Sequence, residues 1–317
     1  MPSQKLTDFK VLVFDTYGTL ADWETGIYNG IKPLLAKYPA SSSWSRDEAL
    51  KAFTAVEADL QVRQPDLLYA DLLSKSHEVL EERLRAASGK EVEKTTLEGD
   101  PSTTASQSDV GTSKSASQPA SFTSGEHAAF GKSVKDWPIF PDSPSALQIL
   151  SKYYKLCVLS NVDRDSYGYT LVKLSEGDSG ASCDPEIYQS PSLGPGEFWF
   201  PRHNQPQSKS PFTLIVTAQD VKSYKPAHHG FNVTLDLIQK HPDLLNDPEG
   251  EEVKAKDKVL WVAQSVFHDI IPAKELGLET VWINREGASM GGPKELGPSA
   301  TWVFNTLGEM AEAVEKE

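Results

Sequence analysis

Lys10-Val11-Leu12-Val13-Phe14-Asp15, running on into Thr16-Tyr17-Gly18-Thr19-Leu20, is the stretch on which the fold turns. Its apolar residues are consecutive rather than alternating, the pattern of a strand covered on both faces of a parallel sheet. An Asp at the tip of such a strand, followed by a Gly-containing loop, places a carboxylate at the sheet's C-terminal edge. There it can serve as a nucleophile that splits one hard displacement into two easier steps. An Asp in that position also caps whatever element follows. What else the chain brings to the same edge decides between these readings.

Four further runs repeat the pattern: Lys155–Ser160 (KLCVLS), Thr213–Thr217 (TLIVT), Lys258–Ala263 (KVLWVA) and Thr280–Ile283 (TVWI). Helical periodicity lies between them, over Ser143–Tyr153, Asp165–Leu174, His229–Lys240 and Asp269–Leu276, the last closed by Gly277. Strands alternating with helices predict an α/β fold, a doubly wound, Rossmann-like parallel sheet with its site at the strand C-terminal ends. Three of those ends carry reactive groups. Ser160-Asn161 offers a hydroxyl and an amide that can hold an anionic oxygen. Lys225 precedes Pro226, which keeps it out of helical geometry and makes it a candidate counter-charge for a carboxylate. Asp269, in Gln264-Ser265-Val266-Phe267-His268-Asp269, is a second acid able to position water, the lysine or a metal. Each has a plainer explanation when taken alone: a turn, a solvated lysine, an acid at a helix N-terminus. Together, in order and all at strand ends, they favour catalysis.

Two stretches interrupt the alternation. Residues 22–90 have helical periodicity and no strand signal, notably Asp47–Leu60 and Pro65–Ala87, and predict a helical cap over the site. Residues 91–125 are rich in Ser, Thr, Gly and Gln with Phe122 their one aromatic, a low-complexity insertion expected to be disordered. The core then comprises residues 1–21 and 126–317, with a proline-rich loop insertion at 176–211 whose Phe198-Trp199-Phe200 should pack on something. Across the 317 residues, 31 Lys and Arg face 45 Asp and Glu, a formal net charge of −14, which argues against a nucleic-acid partner. No apolar run approaches bilayer-spanning length, and neither a signal peptide nor a cysteine framework (Cys157 and Cys183 only) is evident, so a cytoplasmic setting without membrane contact is expected.

The ordered set of Asp15, Ser160, Lys225 and Asp269 resembles the four motifs of the haloacid dehalogenase superfamily of hydrolases, with the L-2-haloacid dehalogenase (type II) branch the nearest match. Phe14-Asp15-Thr16-Tyr17-Gly18-Thr19-Leu20 and Ser223-Tyr224-Lys225-Pro226 are the most specific parts of the likeness, which spans nearly the whole chain. The resemblance implies Asp15 as nucleophile, Thr19 supporting its carboxylate, and Ser160 and Asn161 binding the substrate carboxylate. Lys225 would hold nucleophile and substrate by charge, and Asp269 would organise Lys225 and the attacking water. It implies displacement of halide from C2 of a 2-haloacid-like anionic substrate, an aspartyl ester, and release of a 2-hydroxy acid. Phosphatases of the superfamily carry a second Asp two residues after the nucleophile to protonate a poor leaving group, where this chain has Tyr17, taken here as a substrate-binding residue; halide needs no proton. No cofactor or metal is therefore expected, with Mg²⁺ required only if the chain is a phosphatase. The family's cap Arg has Arg46 and Arg63 as candidates here, and the family's Asn three residues before the last acid is replaced by Val266, with Gln264 and Ser265 nearby. Dimers are common in the family, so a homodimer is among the expected states. The alternatives are a phosphatase of the superfamily or a hydrolase of another small substrate, or a non-catalytic interaction protein on the same fold.

Overall fold

A computed structural model describes residues 4–97, 119–177, 185–245, 253–291 and 299–317. Among them, six strands form one parallel sheet in the order β3-β2-β1-β4-β5-β6: β1 Val11–Phe14, β2 Lys155–Ser160, β3 Phe212–Thr217, β4 Val259–Ala263, β5 Glu279–Ile283 and β6 Trp302–Phe304. The order runs outward from β1 in one direction and from β4 in the other, so the crevice between the ends of β1 and β4 is the topological switch point, where open α/β sheets bind ligands. Val11 pairs with Lys155 on one side and Val259 on the other, and the two ladders carry Phe14 level with Val158 and Val262.

The continuous apolar strands follow from burial on both faces. Leu12, Phe14, Leu156, Val158, Leu260 and Val262 face one cluster; Val11, Val13, Cys157, Leu159, Trp261 and Ala263 face the other. The first face is covered by α5 (Ser143–Leu150), α6 (Arg164–Glu176) and the C-terminal helix Leu307–Lys316, the second by the helix His228–Lys240. No helix among the described residues is long and apolar enough to cross a membrane.

Between β1 and β2 the chain builds a helical layer: α1 Trp23–Lys37, α2 Arg46–Arg63, α3 Tyr69–Leu97 and α4 Ser124–Gly131. Ser45 and Glu48 cap α2 reciprocally, and Thr123 and Glu126 do the same for α4. α4 lies so close to the start of α3 that a Cβ on Gly131 would sit 2.3 Å from the Ala70 carbonyl oxygen. His77 of α3 stacks on Phe130 of α4, centroids 4.6 Å apart, and Glu81 accepts the Tyr38 hydroxyl at 2.6 Å and the Phe122 N–H at 2.9 Å. Carboxylates join this layer to the core: Glu24 of α1 accepts the Ser289 and Met290 N–H groups, and Asp163 caps α6 by accepting the Ser166 N–H at 2.8 Å and, through its other oxygen, accepts the Ala70 N–H in the first turn of α3 at 2.8 Å.

Several local expectations change. The run expected to be disordered over 91–125 is helical up to Leu97, and Phe122, docked on Glu81, leads directly into the capped start of α4; the rest, 98–118, lies outside the described residues, as does Cys183. The helix expected from Pro65 begins at Tyr69. Asp269–Leu276 is not one helix from its first residue: Val266–Ile270 is a π-turn, followed by an α-helix over Ile271–Glu275 that ends at Gly277 with φ +72°. Within 176–211, Trp199 is fully buried, edge-on to Tyr167 at 6.1 Å, and bridges antiparallel to Ile215 of β3. β6 is an addition the sequence reading lacks.

Candidate active site

The ends of β1, β2, β3 and β4 converge on a cavity of about 410 Å³ whose opposite wall is α2. Asp15 follows β1 directly, is 6% exposed, and is held in register by its N–H donating to the Val262 carbonyl at 3.1 Å. The loop after it turns sharply: Gly18 has φ +101°, and its N–H donates to the Ala21 carbonyl at 2.7 Å. A Cβ there would approach the Gln264 amide oxygen to 2.9 Å, so conformation and space both demand glycine.

Both carboxylate oxygens of Asp15 are engaged. Thr19 Oγ1 donates to Oδ2 at 2.7 Å, and Lys225 Nζ donates to Oδ1 at 2.8 Å. The same ammonium donates to Asp269 Oδ1 at 2.8 Å, and the Trp261 indole N–H reaches that oxygen at 3.1 Å. Lys225 and Asp269 are 3% and 0% exposed, so the ion cluster lies out of bulk water, where removing one member leaves the others uncompensated. Burial acts against the ammonium, yet Asp15 and Asp269 outweigh it and hold its pKa above the ordinary lysine value. Burial pushes the Asp269 carboxyl up, with Lys225 opposing.

Four of the residues singled out in the sequence, Asp15, Thr19, Lys225 and Asp269, thus form one hydrogen-bonded cluster. The other three are placed differently from expectation. Asn161 lines the cavity, but its side chain clamps the Lys225 backbone: Oδ1 accepts the Lys225 N–H at 2.7 Å and Nδ2 donates to the Lys225 carbonyl at 3.1 Å. Only its second amide hydrogen is free for a ligand, so it positions Lys225 first and binds second. Ser160 is 1% exposed, its hydroxyl makes no hydrogen bond within the described structure, and it does not line the cavity. Tyr17 gives the cavity its ring while its hydroxyl pairs with Thr170 Oγ1 at 2.8 Å; burial raises its pKa, so it is a neutral phenol facing away from the nucleophile.

Arg46 and Arg63 do not reach the cavity. Arg46 pairs with Glu24 at 3.2 Å, and Arg63 with Asp59 at 2.9 Å on the exposed side of α2. The α2 residues that do reach it are Lys51, Thr54, Ala55, Glu57, Ala58 and Gln61. Glu57 accepts the Tyr69 hydroxyl at 3.0 Å, and burial raises its carboxyl pKa to about 7. Arg285, just beyond β5, also went unread: buried, it donates twice to the Thr19 carbonyl (3.0 and 2.8 Å) and once to Asp142 (2.7 Å), fixing the loop that carries the Asp15 support. Its signal was a charged residue immediately after an apolar strand, a position ordinarily read as surface.

Among the described residues no group of three or more His, Cys, Asp and Glu side chains is placed to hold a metal ion. The Asp15 and Asp269 carboxylates are bridged by the Lys225 ammonium.

No family model matches the chain, and no curated protein matches it. Solved structures do. They include the defluorinating L-2-haloacid dehalogenase Rha0230 (TM-score 0.55, 15% identity, 99% of this chain and 100% of that one). Another is the HAD-hydrolase YfnB from Bacillus subtilis, bound to magnesium (0.53, 11%, 97% and 99%). A third is the L-2-haloacid dehalogenase from Xanthobacter autotrophicus with chloropropionic acid covalently bound (0.50, 14%, 97% and 98%). The chain therefore has the haloacid dehalogenase-like α/β fold across its length.

Proposed function

We propose that the chain is a hydrolase that displaces halide from C2 of a 2-haloacid through an ester on Asp15. The observation that carries this reading is the buried ammonium of Lys225, 2.8 Å from both Asp15 and Asp269. It compensates the nucleophile and can draw a monoanionic substrate without a divalent ion. An oxygen of Asp15 attacks C2, the carbon–halogen bond breaks, and halide departs with the bonding pair. Water then adds to Asp15 Cγ, and breaking the bond between Cγ and the ester oxygen releases the 2-hydroxy acid. The spare amide hydrogen of Asn161, which lines the cavity, is a donor that a substrate carboxylate would take up.

The cavity also speaks to the size of the substrate. At ~30 Å³ per water its volume holds about fourteen waters, whereas 2-chloropropionate has six non-hydrogen atoms. Trp23, Tyr69, Val162, Phe267 and Met290 are among its lining residues, so there is room and apolar surface for a C2 substituent larger than a methyl, such as an aryl or extended alkyl group.

A second reading, hydrolysis of a phosphate monoester, draws on Glu57, which lines the same cavity and whose raised pKa would let it protonate a departing alkoxide. Incubation with 2-bromo-3-phenylpropionate and, separately, p-nitrophenyl phosphate with Mg²⁺ distinguishes them. Free bromide with little nitrophenol is expected; nitrophenol at useful rates without bromide moves the assignment to the second reading. In single-turnover hydrolysis in ¹⁸O-water, label should enter Asp15 before product.

A further inference from the structure

Neither reading above uses His268, whose ring lines the cavity with Asp15, Lys225 and Asp269. Its Nδ1 lies 3.2 Å from Ser265 Oγ, which also accepts the His268 backbone N–H at 3.1 Å and lies 3.3 Å from the Gly291 carbonyl oxygen. A carbonyl only accepts, so the Gly291 contact is a hydrogen bond only when it takes the single hydroxyl hydrogen of Ser265. The remaining contact closes only when Nδ1 carries a hydrogen and donates it to Ser265. That tautomer leaves Nε2 with a bare lone pair, and Nε2 makes no hydrogen bond to the described residues. Phe267 stands edge-on to the ring at 5.0 Å.

Two of the other groups at this end of the sheet cannot take a proton from water at this step: Lys225 is an ammonium between two carboxylates and has no lone pair, and Asp15 is itself the group being hydrolysed. Asp269 spends Oδ1 on Lys225 and Trp261, and its buried Oδ2, without a hydrogen-bond partner, is the competing acceptor that the variants below test. Burial, with the Lys225 charge adding to it and Asp15 opposing, lowers the His268 pKa to about 4, so the imidazole is neutral at neutral pH.

We propose that His268 is the general base of the second half-reaction, acting through Nε2 on the water that cleaves the Asp15 ester. The inference rests on the ester reading above. As the water oxygen bonds to Asp15 Cγ, one of its protons passes to Nε2. The tetrahedral oxyanion collapses, the bond between Cγ and the C2-bearing oxygen breaks, and the departing alkoxide takes the proton back from His268. The Asp15 carboxyl that forms releases the water's second proton to solvent, which returns the carboxylate.

The test uses the full chain and 2-bromo-3-phenylpropionate, with His268→Asn, which keeps a donor toward Ser265, and His268→Gln as a second variant. Both should release about one bromide per site at near wild-type rate, then turn over at least about 100-fold more slowly. Intact mass should show the Asp15 adduct accumulating, and added imidazole should speed its loss. An adduct that forms and clears at the wild-type rate in both folded variants overturns the assignment of the base alone. Loss of the bromide burst in both variants, with wild type bursting normally, overturns it too, because His268 would then act before the ester exists. Wild type that releases bromide without any adduct on Asp15 overturns the ester reading itself, and the base with it.

Discussion

The two walls of the cavity are built on different principles. On the sheet side, Asp15, Thr19, Lys225 and Asp269 saturate one another, and Asn161 and Arg285 hold their backbones from behind. On the helical side, α2 presents Lys51, Ala55, Glu57, Ala58 and Gln61 one turn after another, with the Tyr69 hydroxyl donating to Glu57. The first wall has a single arrangement, fixed by charge and hydrogen bonding in a dry environment. The second is a surface of adjustable size and polarity. On the reading proposed above, chemistry falls to the sheet-side wall and choice of substrate to the helical one.

Breaking the sheet-side wall should have the largest effects. Asp15→Asn should lower bromide release from 2-bromo-3-phenylpropionate by at least about 10⁴-fold while circular dichroism stays native; measurable turnover in a folded variant would remove Asp15 from the reaction. Lys225→Met should abolish turnover and also cost about 3–5 kcal/mol of unfolding free energy, because two buried carboxylates then face each other without a counter-charge. Denaturant titration reads this directly, and a loss below 1 kcal/mol would mean the cluster relaxes into water. Changes on the helical wall should be smaller and selective. Ala58→Phe should raise KM for 2-bromo-3-phenylpropionate about 10-fold or more, in the range of ~1–3 kcal/mol for altered pocket volume, and leave 2-chloropropionate nearly unchanged. Equal effects on both would place the substituent elsewhere.

The smallest effect concerns Glu57 and has a defined sign. Its folded pKa, about 7, lies above the ordinary glutamate value, so its contribution to stability is fully present below about pH 4.5 and is lost as pH rises through about 7. Glu57→Gln has no charge to ionise. Its melting temperature relative to wild type should therefore climb between pH 5 and pH 8, by about 2–4 °C if the linkage amounts to 1 kcal/mol. A difference independent of pH would show the carboxyl to be ordinarily solvated.

The same division explains what was legible in the sequence. Strands buried on both faces announce themselves as unbroken apolar runs, and a reactive residue at the end of each is then placed by topology alone; Asp15, Lys225 and Asp269 were readable in this way. Asn161 was visible as a strand-end residue, but its engagement with the Lys225 backbone depends on how two loops meet and leaves no local pattern. Arg285 escaped for the same reason, its partners lying at Thr19 and Asp142. β6, three residues long, is too short for periodicity to single out. On α2 the apolar positions follow the helix's own packing, and nothing in the spacing says which residues of the half-buried flank face a ligand.

Asp163 gives the two walls a common hinge pin. Since a single carboxylate secures the opening turn of α3 with one oxygen and that of α6 with the other, the lid cannot swing clear of the sheet at this corner without unpinning a helix that belongs to the base. Admission of a bulky substrate would therefore be felt as fraying at Ser166, on the far side of the strand end that carries Ser160 and Asn161, and amide exchange at that residue offers a gauge of how often the enclosure opens.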